Sequence, residues 1–566
     1  MKVVHLFLCG LLLSFLSAAS AESRFSYPRS LKPPSTLFVY SDSSLGSEDG
    51  LIVTLLTLGG GLARTQPMFY RVPTGYPGAD SYNLWLSRME ERCNVQADLS
   101  FLDDAFGLLT KFKSKISGYV LYNSTDNSVN AALTFVAGQK ADELLVAAAS
   151  SSSNTLSLLR SLRVPMVYDA SGTREAQAYL ARGAGAFSGK MVSFQHPHLF
   201  SNLAEYAVFG NMPTLEYSTD TDKYPNGGPY VKQVIKDMGE EPSISAAIGW
   251  GPEYQYVSNL GNHGIFVHAS DMAHNVAAIA NAACPPPTAL PAPTPKPRAA
   301  SPDKHRVAFL MTDGDNVQWL FNTFVTDPQW WGNRLRGKEV PIGWTLSPGL
   351  YELGMPILDY LRTNRTELDD FIGAPSGLGY VYPSSWTDQT KFESLAKKTG
   401  YYLNKTMSRL GGGSSGIVNV IGEGNEPKLS TVAPLLRQES IKGIFWYTFG
   451  AGYSGWSGTK WDADSGKPIV GARVSLWGNS THGTMIGVGA MVERFKELYR
   501  SQAINGNRKS TDGYSLVPVN VWSHSVADVV AVAQGLEKLG NFEIVTPSAL
   551  LEGVAKYCGP GRHHTS

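Results

Sequence analysis

Short apolar runs alternate with amphipathic stretches through the first half of the chain. Runs of this length predict strands, and the stretches between them have helical spacing. The predicted strands span 37–40, 67–72, 118–122, 144–147, 164–169 and 245–250, and a helix spans 49–62. Strands that alternate with helices are typical of parallel sheets. We therefore predict an N-terminal parallel-sheet α/β domain over residues 35–284.

The second half repeats this pattern more regularly. Strands are predicted at 306–311, 340–346, 371–373, 416–421, 442–447, 469–477, 515–522 and 543–545. Helices are predicted around Asn333 and at 355–362, 388–407, 429–439, 485–501 and 526–539. Such a series has the size and rhythm of a (β/α) barrel, which we predict over residues 303–560. An open doubly wound sheet stays possible, because strand order is not visible in a sequence.

Two segments interrupt the α/β pattern. Residues 285–302 are rich in proline and predict a stiff linker between the two domains. At the start of the chain, a basic residue precedes an apolar run, and small residues follow up to Ala21. This order predicts a secretory signal over residues 1–21, cleaved after Ala21, and hence a secreted or lumenal protein. No later stretch is long and apolar enough to predict a transmembrane helix.

The charge balance argues against nucleic acid and membrane partners. Lysine plus arginine number 48, and aspartate plus glutamate also number 48. The chain therefore has no charge excess that would attract nucleic acid or an anionic membrane. Aromatic residues make up 11% of the chain, and many lie in glycine-rich stretches. This suits stacking on sugar rings, although an aromatic-rich core has the same composition. We expect a carbohydrate partner and no cofactor.

The cysteines allow one disulfide. Cys93, Cys284 and Cys558 remain after the predicted signal. Three cysteines cannot all pair within one chain, and the sequence does not tell which two would bond in an oxidising compartment. Their spacing does not indicate a zinc site. Sequons that fit a secreted glycoprotein occur at Asn123, Asn364, Asn404 and Asn479.

The first predicted strand of the second half ends in an acidic segment. In a barrel and in an open parallel sheet alike, active sites lie where strands end. Here the strand is followed by Asp313, Asp315 and Asn316. Two carboxylates and an amide can do acid/base work or bind a hard metal, or they can simply form a turn and cap a helix. The spacing does not fit a calcium loop, since Gln318 and Phe324 stand where glycine and glutamate are needed.

Single carboxylates follow two later strands. Glu352 is either a second acid or a residue that begins a surface helix. Glu423 lies between two glycines and is a candidate general acid, because neighbouring rings can desolvate a lone carboxylate. We predict Asp313, Asp315 and Glu423 as the catalytic residues.

Aromatic and polar side chains near these strand ends are candidates for binding the substrate. The predicted binding residues are Asn316, Glu352, Tyr380, Tyr382, Trp446, Trp456, Trp522 and His524. Tyr380 and Tyr382 lie in a glycine-rich stretch, and we expect one ring to pack inward while the other faces the cleft. His524 is a candidate base, metal ligand or hydrogen-bond donor, although a lone histidine is more often structural.

The sequence does not support two common classes of hydrolase. No GxSxG follows a predicted strand, which argues against the lipase type of hydrolase, and no HExxH occurs, which argues against helix-borne zinc proteases. His196 and His198 flank a proline, and we predict a loop there rather than a metal site.

Residues 377–383 read GLGYVYP. The segment resembles the motif that names the GxGYxYP putative glycoside hydrolase family. The segment that begins at Asp313 is similar to the acidic motif of that family. Gly249–Trp250 and Ser270–Asp271 with Asn275 are similar to its N-terminal part. The resemblance covers most of the chain. It implies an N-terminal α/β domain, a barrel-like C-terminal domain and a carbohydrate substrate.

Three hypotheses for function follow. The first is a secreted glycoside hydrolase that uses a pair of carboxylates. The second is metal-assisted hydrolysis with Asp313, Asp315 and His524 as ligands. Residues 519–550 resemble the closing units of polysaccharide deacetylases, but residues 316–333 lack the histidine pair of those enzymes. The third is a glycan-binding protein without catalytic activity.

Overall fold

A computed structural model shows where the predicted elements lie. It describes residues 24–46, 49–75, 78–196, 202–217, 228–239, 244–286, 303–314, 316–411, 416–424, 426–481 and 483–559. The predicted secretory signal, most of the predicted linker, His198 and Asp315 lie outside the described residues.

The described part of the first half contains three small parallel sheets. The first consists of β1 (Thr36–Ser41), β2 (Phe69–Val72) and β3 (Gln96–Asp98), and the second of β4 (Gly118–Tyr122), β5 (Leu145–Ala149) and β6 (Met166–Asp169). The third has the strands β7 (Met191–Phe194), β8 (Thr214–Leu215), β9 (Ser245–Gly249) and β10 (Ile265–His268), in the order β10-β9-β7-β8. The helices are α1 (Asp49–Ala63), α2 (Ala79–Arg92), α3 (Ala105–Phe112), α4 (Val129–Ala137), α5 (Ser153–Ser161), α6 (Glu175–Arg182), α7 (Ala204–Phe209), α8 (Gly228–Gly239), α9 (Glu253–Asn262) and α10 (Val276–Ala280).

The second half is built on one large curled sheet. Its strands are β11 (His305–Met311), β12 (Ile342–Leu346), β13 (Asp369–Gly373), β14 (Ile417–Gly422), β15 (Gly443–Thr448), β16 (Thr459–Trp461), β17 (Pro468–Gly471), β18 (Ser475–Leu476), β19 (Met485–Ile486), β20 (Tyr514–Val519) and β21 (Phe542–Ile544). Its helices are α11 (Val317–Phe321), α12 (Leu350–Leu353), α13 (Met355–Asn364), α14 (Gln389–Arg409), α15 (Leu429–Leu436), α16 (Val488–Arg500), α17 (Val526–Glu537) and α18 (Pro547–Tyr557).

The strand order of this sheet is β16-β17-β15-β14-β13-β12-β11-β20-β18-β19, and β21 also pairs with β11. All of the pairs are parallel except β16 with β17. A parallel bridge between Ala472 and Leu516 brings the chain that follows β17 back to β20. The predicted parallel α/β architecture with a barrel-like second half is thus confirmed.

Alternation along β11 shows how the sheet separates two parts of the core. Val307, Phe309 and Met311 belong to the cluster that includes the helices outside the sheet. Ala308 and Leu310 belong to the cluster inside the curl. Successive side chains of a strand point to opposite faces, so both faces of this sheet are buried. Polar side chains such as that of Asp313 lie at the ends of the parallel strands.

Local sequence explains why several helices begin where they do. The side chain of Asp388 accepts a hydrogen bond from the backbone N–H of Lys391 at the start of α14. Thr546 caps α18 in the same way, and Pro547 occupies the first helical position. These caps satisfy backbone donors that have no partner inside the helix. The predicted start of α14 at residue 388 was accordingly close to the observed one, whereas α18 was not predicted.

The two halves share a core and pair through their backbones. Val267 of β10 and Tyr380 exchange N–H···O hydrogen bonds of 3.1 and 2.7 Å. Ala269 forms a bridge with Asn316. The largest cluster of buried apolar residues contains side chains of both halves. The third small sheet is therefore held against the strand ends of the curled sheet.

The structure corrects some predicted elements. The region around Asn333 is a series of turns rather than a helix. The run at 469–477 is divided into β17 and β18, because the chain turns at Arg473, whose guanidinium donates to the carbonyl of Ala503. Strands β3, β7, β8 and β10 were not predicted. Each has two to four residues, which is too short for a clear periodic pattern.

Candidate active site

A cavity of about 190 Å³ lies where the two halves meet. Trp250, Glu253 and Ala269 line it from the first half, and Asp313, Asn316, Gln318, Tyr380, Tyr453 and Trp522 line it from the second half. The lining combines two carboxylates with several aromatic rings. Concave sites with a few convergent polar groups are typical of ligand-binding and active sites.

Asp313 reaches the cavity from the tight turn that follows β11. Its φ is +69°, in the left-handed region that aspartate tolerates better than most residues. The next residue has no room for a side chain, since a Cβ on Gly314 would lie 1.7 Å from the carbonyl oxygen of Thr345. The Gly314 N–H donates to the Thr345 hydroxyl at 2.8 Å. The exit of β11 is thus fixed against the exit of β12.

The environment of Asp313 favours its protonated form. Burial raises the pKa of this carboxyl to about 6, and the negative charge of Glu253 acts in the same direction. A hydrogen bond from the indole Nε1 of Trp522 and one from Thr312 act in the opposite direction. The hydroxyl of Tyr447 is buried close by. Its pKa is raised mainly by burial and also by the charge of Asp313.

Glu253 is the second carboxylate of the cavity and comes from the first half. It is the first residue of α9, where the positive end of the helix dipole favours an acidic side chain. The Tyr380 hydroxyl donates to Glu253 Oε1 at 2.6 Å, and the Tyr382 hydroxyl lies 3.5 Å from the same atom. The GLGYVYP segment thus holds a carboxylate of the other half.

The two tyrosines of this segment lie on the same side. Their hydroxyl oxygens are 3.1 Å apart, and their ring centroids are 5.4 Å apart. Tyr380 lines the cavity and Tyr382 does not, so the two rings share a side of the segment but differ in their access to the cavity. Residues two positions apart in an extended segment share a face.

Trp250 forms an aromatic wall of the cavity. Its ring is nearly parallel to that of Tyr380, with 5.9 Å between the centroids. It follows β9, whose last residue has a φ of +114°, and a Cβ on this Gly249 would lie 1.7 Å from the carbonyl oxygen of Phe194. A glycine is therefore required at the strand end that presents Trp250.

Amides complete the polar lining. The side-chain oxygen of Asn316 is buried without a hydrogen-bond partner, which makes it available to a ligand. Gln318 is held by the backbone, since its side-chain oxygen accepts a hydrogen bond of 2.6 Å from Met272 N–H. Asn316 was predicted as a binding residue, and the structure places it at the cavity.

Glu423 lies outside the lining of this cavity. It accepts hydrogen bonds from the hydroxyls of Ser258 at 3.4 Å, Ser385 at 3.2 Å and Ser384. The structure therefore does not bring Glu423 into the same cavity as Asp313, and the other carboxylate in the lining of that cavity is Glu253. Glu352 lies in α12, where it forms an ion pair with Arg29, and it does not line the cavity.

The other predicted binding residues divide between the cavity and the core. Trp522 is 57% exposed and lines the cavity. Trp446 is 4% exposed and packs in the core against Gly422. Trp456 packs at the edge of that core beside Gly471. The side chain of His524 is 4% exposed. Its Nε2 is 3.0 Å from the carbonyl oxygen of Gly478, and its Nδ1 is 3.7 Å from Asp528. These contacts indicate a structural role for His524.

The ligand set of the metal hypothesis includes Asp315, which lies outside the described residues. Among the described residues, no three histidine, cysteine or acidic side chains lie close enough to hold one metal ion. The helices of the described residues also include none that is long and apolar enough to cross a membrane.

The sequence contains a signal for Glu253 and Trp250, neither of which is among the predicted site residues. The predicted strand at 245–250 is followed by Gly251, Pro252 and Glu253, an acid after a glycine-rich strand end. The same rule had selected Asp313 and Glu423 in the second half. Nothing in the sequence shows that the end of β9 lies near the end of β11, so this signal alone does not place Glu253 in the same site as Asp313.

The fold and the cavity define an α/β protein with a barrel-like second half and a carboxylate-bearing site at the strand ends. Residues 303–555 match the GxGYxYP putative glycoside hydrolase C-terminal domain. Residues 189–281 match the GxGYxYP third domain, and residues 116–182 match the GxGYxYP_N second domain. The chain therefore belongs to the GxGYxYP putative glycoside hydrolase family.

A solved structure shares the fold of the whole chain. It is a putative hydrolase from Bacteroides thetaiotaomicron VPI-5482, with a TM-score of 0.77 and 20% sequence identity. The match covers 95% of this chain and 99% of that one. No curated protein matches the chain.

Proposed function

We propose that the protein hydrolyses glycosidic bonds in the cavity between its two halves, with Asp313 as the proton donor and Glu253 as the second carboxylate. The main support is that a carboxyl group with its pKa raised to about 6 shares an aromatic-walled cavity with a second carboxylate. Hydrolysis of this kind generally uses one carboxylic acid and one carboxylate. Membership in the GxGYxYP family supports a carbohydrate substrate.

The proposed reaction needs one proton transfer to the leaving group. Asp313 donates its proton to the glycosidic oxygen as the bond to the anomeric carbon breaks. Glu253 either removes a proton from the attacking water or attacks the anomeric carbon itself. In the second case, water then hydrolyses the glycosyl ester. Both routes add one water molecule across the bond, and they differ in the stereochemistry of the product.

Asp315 is a second candidate at the same strand end. It lies two residues beyond Asp313 in the sequence, and the acidic motif of the family resemblance includes it. Substitution of Asp313 and of Asp315 separately by asparagine shows which carboxyl carries the reaction.

A glycan-release screen tests the proposal. The purified protein is incubated with a panel of polysaccharides and oligosaccharides beside Asp313→Asn, Asp315→Asn and Glu253→Gln, with and without a chelator. We expect product from the wild type, and a loss of about 100-fold to 10,000-fold in rate for Asp313→Asn and Glu253→Gln. Glu426→Gln is the matched control, because Glu426 has 57% side-chain exposure and pairs with Lys460.

Other outcomes of the glycan-release screen would contradict the proposed carboxylate mechanism. Product that disappears with chelator indicates metal-assisted hydrolysis. Full activity of both the Asp313 and Glu253 variants rules out this pair of residues. Sugar binding without product from any substrate favours the glycan-binding hypothesis.

We also propose that the protein is secreted. The N-terminal pattern supports this, and so does the disulfide between Cys93 and Cys284, because disulfides persist in oxidising compartments. Expression of the full chain in its own cells, with N-terminal sequencing of the protein in the medium, tests the proposal. We expect a mature chain that begins at Glu22. A protein found only inside the cytoplasm with Met1 intact contradicts it.

A further inference from the structure

Exposed aromatic rings are rare in the described part of the chain and lie beside the cavity. There, Tyr254 is 44% exposed and Trp522 is 57% exposed, and the remaining aromatic side chains are more buried. Trp522 lines the cavity, and Tyr254 follows Glu253 in α9. Large aromatic side chains are usually well buried, so two exposed rings next to one cavity call for an explanation.

Tyr254 is connected to the cavity by a row of aromatic rings. The row runs from Trp250 to Tyr380, Tyr382, Tyr254 and Phe449. The successive centroid distances are 5.9, 5.4, 5.8 and 5.4 Å. The first two rings lie at the cavity, and Tyr254 lies at the protein surface. Tyr254 stacks on Phe449 with 22° between the ring planes. That contact holds the Tyr254 ring in a fixed orientation while much of its surface stays open to solvent.

Polar groups surround this exposed ring. Glu423 accepts hydrogen bonds from Ser258 and Ser385, and also from Ser384. The hydroxyl of Tyr254 hydrogen-bonds to Glu423 as well, and this raises the pKa of Tyr254. A flat ring beside a carboxylate and several hydroxyls offers a sugar both a stacking face and partners for its hydroxyl groups.

We propose that Tyr254, stacked on Phe449 and flanked by Glu423, binds a second sugar ring next to the cavity, so that the substrate is an oligosaccharide or a polysaccharide end. This inference rests on the proposed function for the role of the cavity. The cavity volume of about 190 Å³ is below the roughly 300 Å³ of common ligand pockets. A longer carbohydrate therefore has to continue outside it. The row of rings leads to Tyr254, and Glu423 serves there as a positioning residue for substrate.

Binding measurements on a chain with Asp313→Asn test this inference without requiring hydrolysis. The labelled protein is applied to an array of defined oligosaccharides of one to six rings, with and without Tyr254→Ala. We expect tighter binding for two rings than for one, and a loss of about tenfold in affinity for the longer ligands with Tyr254→Ala. Tyr254→Phe keeps the stacking face and should retain most of the affinity. The control is Tyr168→Ala. Tyr168 lies in β6 of the second small sheet, and its ring stacks on that of Phe135.

Each result bears on the inference. Affinity that does not increase from one ring to two overturns it, as does an equal effect of Tyr168→Ala and Tyr254→Ala. Absence of binding to every carbohydrate on the array also overturns it. Length-dependent binding that requires Tyr254, in a protein that releases no product in the screen, supports the subsite and contradicts the proposed hydrolysis.

Discussion

At the scale of single residues, the environment of Asp313 decides what the site can do. A free aspartate is ionised at neutral pH and is a poor proton donor. Burial raises the pKa of Asp313 to about 6, while the Trp522 indole partly opposes this shift. One carboxyl group can thus hold its proton at mildly acidic pH while a second carboxylate lies in the same cavity.

The pH dependence of the reaction should report this carboxyl. A general acid must be protonated, so we expect kcat/KM to fall as the pH rises through about 6. Trp522→Phe removes a hydrogen bond that stabilises the ionised form. The falling limb should therefore move to higher pH, whatever happens to the absolute rate. A pH–rate profile of both proteins on one substrate measures this. An unchanged limb in the variant contradicts the role of Asp313 as the acid.

A second carboxyl predicts a pH effect on stability. Glu205 in α7 is 5% exposed, and burial raises its pKa to about 7 from 4.5. A folded-state pKa above the unfolded value stabilises the fold at low pH, and this contribution is lost as the pH rises from about 4.5 to 7.

Glu205→Gln removes the ionisable group and should therefore remove this loss of stability at higher pH. Relative to the wild type, we expect the variant to gain up to about 3 kcal/mol in free energy of unfolding between pH 4.5 and pH 8. Denaturant unfolding at both pH values measures the gain, with Glu91→Gln as the exposed control, since Glu91 has 59% side-chain exposure. An equal change at both pH values would argue against a raised pKa.

At the scale of elements, the turn between β11 and α11 depends on the absence of one side chain. Gly314 lies against the backbone of Thr345, and its N–H and C=O bond to Thr345 and Ser347. Any side chain there pushes the exits of β11 and β12 apart and displaces Asp313.

Gly314→Ala should therefore reduce activity strongly and lower the free energy of unfolding by about 1 to 3 kcal/mol. The matched control is Gly489→Ala in the first turn of α16, where a Cβ would meet no atom within 4 Å. We expect that control to be neutral or slightly stabilising. Activity and thermal unfolding of the two variants measure this, and equal behaviour would show that the close approach at Gly314 is not needed.

The disulfide belongs to the same scale, because it joins two elements. Cys93 ends α2, and Cys284 follows α10, at a separation of 191 positions in the sequence. Replacing both by alanine should cost about 2 to 5 kcal/mol in free energy of unfolding. Cys558→Ala serves as the control, since Cys558 is a free thiol. Denaturant unfolding of the two variants measures the difference. A double variant as stable as the control would show that the bond contributes little.

At the scale of the whole molecule, the site exists only when the two halves are together. Glu253 and Trp250 come from the first half, and Asp313 and Tyr380 come from the second half. The halves also share the largest apolar cluster. Separation would therefore expose apolar surface and also divide the carboxylate pair.

Residues 303–566 expressed alone should aggregate or unfold at a lower temperature, and they should have no hydrolytic activity. The full chain should unfold in one main thermal transition. Circular dichroism and calorimetry of the two proteins measure this. A soluble second half with full activity would show that Glu253 is not needed.

The sequence by itself determined the alternation of strands and helices, the parallel α/β class and the position of Asp313 at a strand end. These depend on local periodicity and turn chemistry, which short stretches of sequence contain. Trp446 shows the limit of such reasoning. Trp446 and Tyr447 are neighbours at the end of one apolar run. Because side chains alternate along a strand, the ring of Trp446 packs in the outer core, whereas the hydroxyl of Tyr447 lies near enough to Asp313 to interact with its charge.

Only the tertiary structure decided which residues share the cavity. Glu253 and Asp313 are 60 residues apart in sequence, and they meet because Val267 pairs with Tyr380 and Ala269 with Asn316. The same packing places Glu423 next to serine hydroxyls. It also buries His524, whose Nε2 lies at hydrogen-bond distance from the carbonyl oxygen of Gly478. Pairing between distant strands depends on how the whole core closes, and no local pattern in the sequence records it.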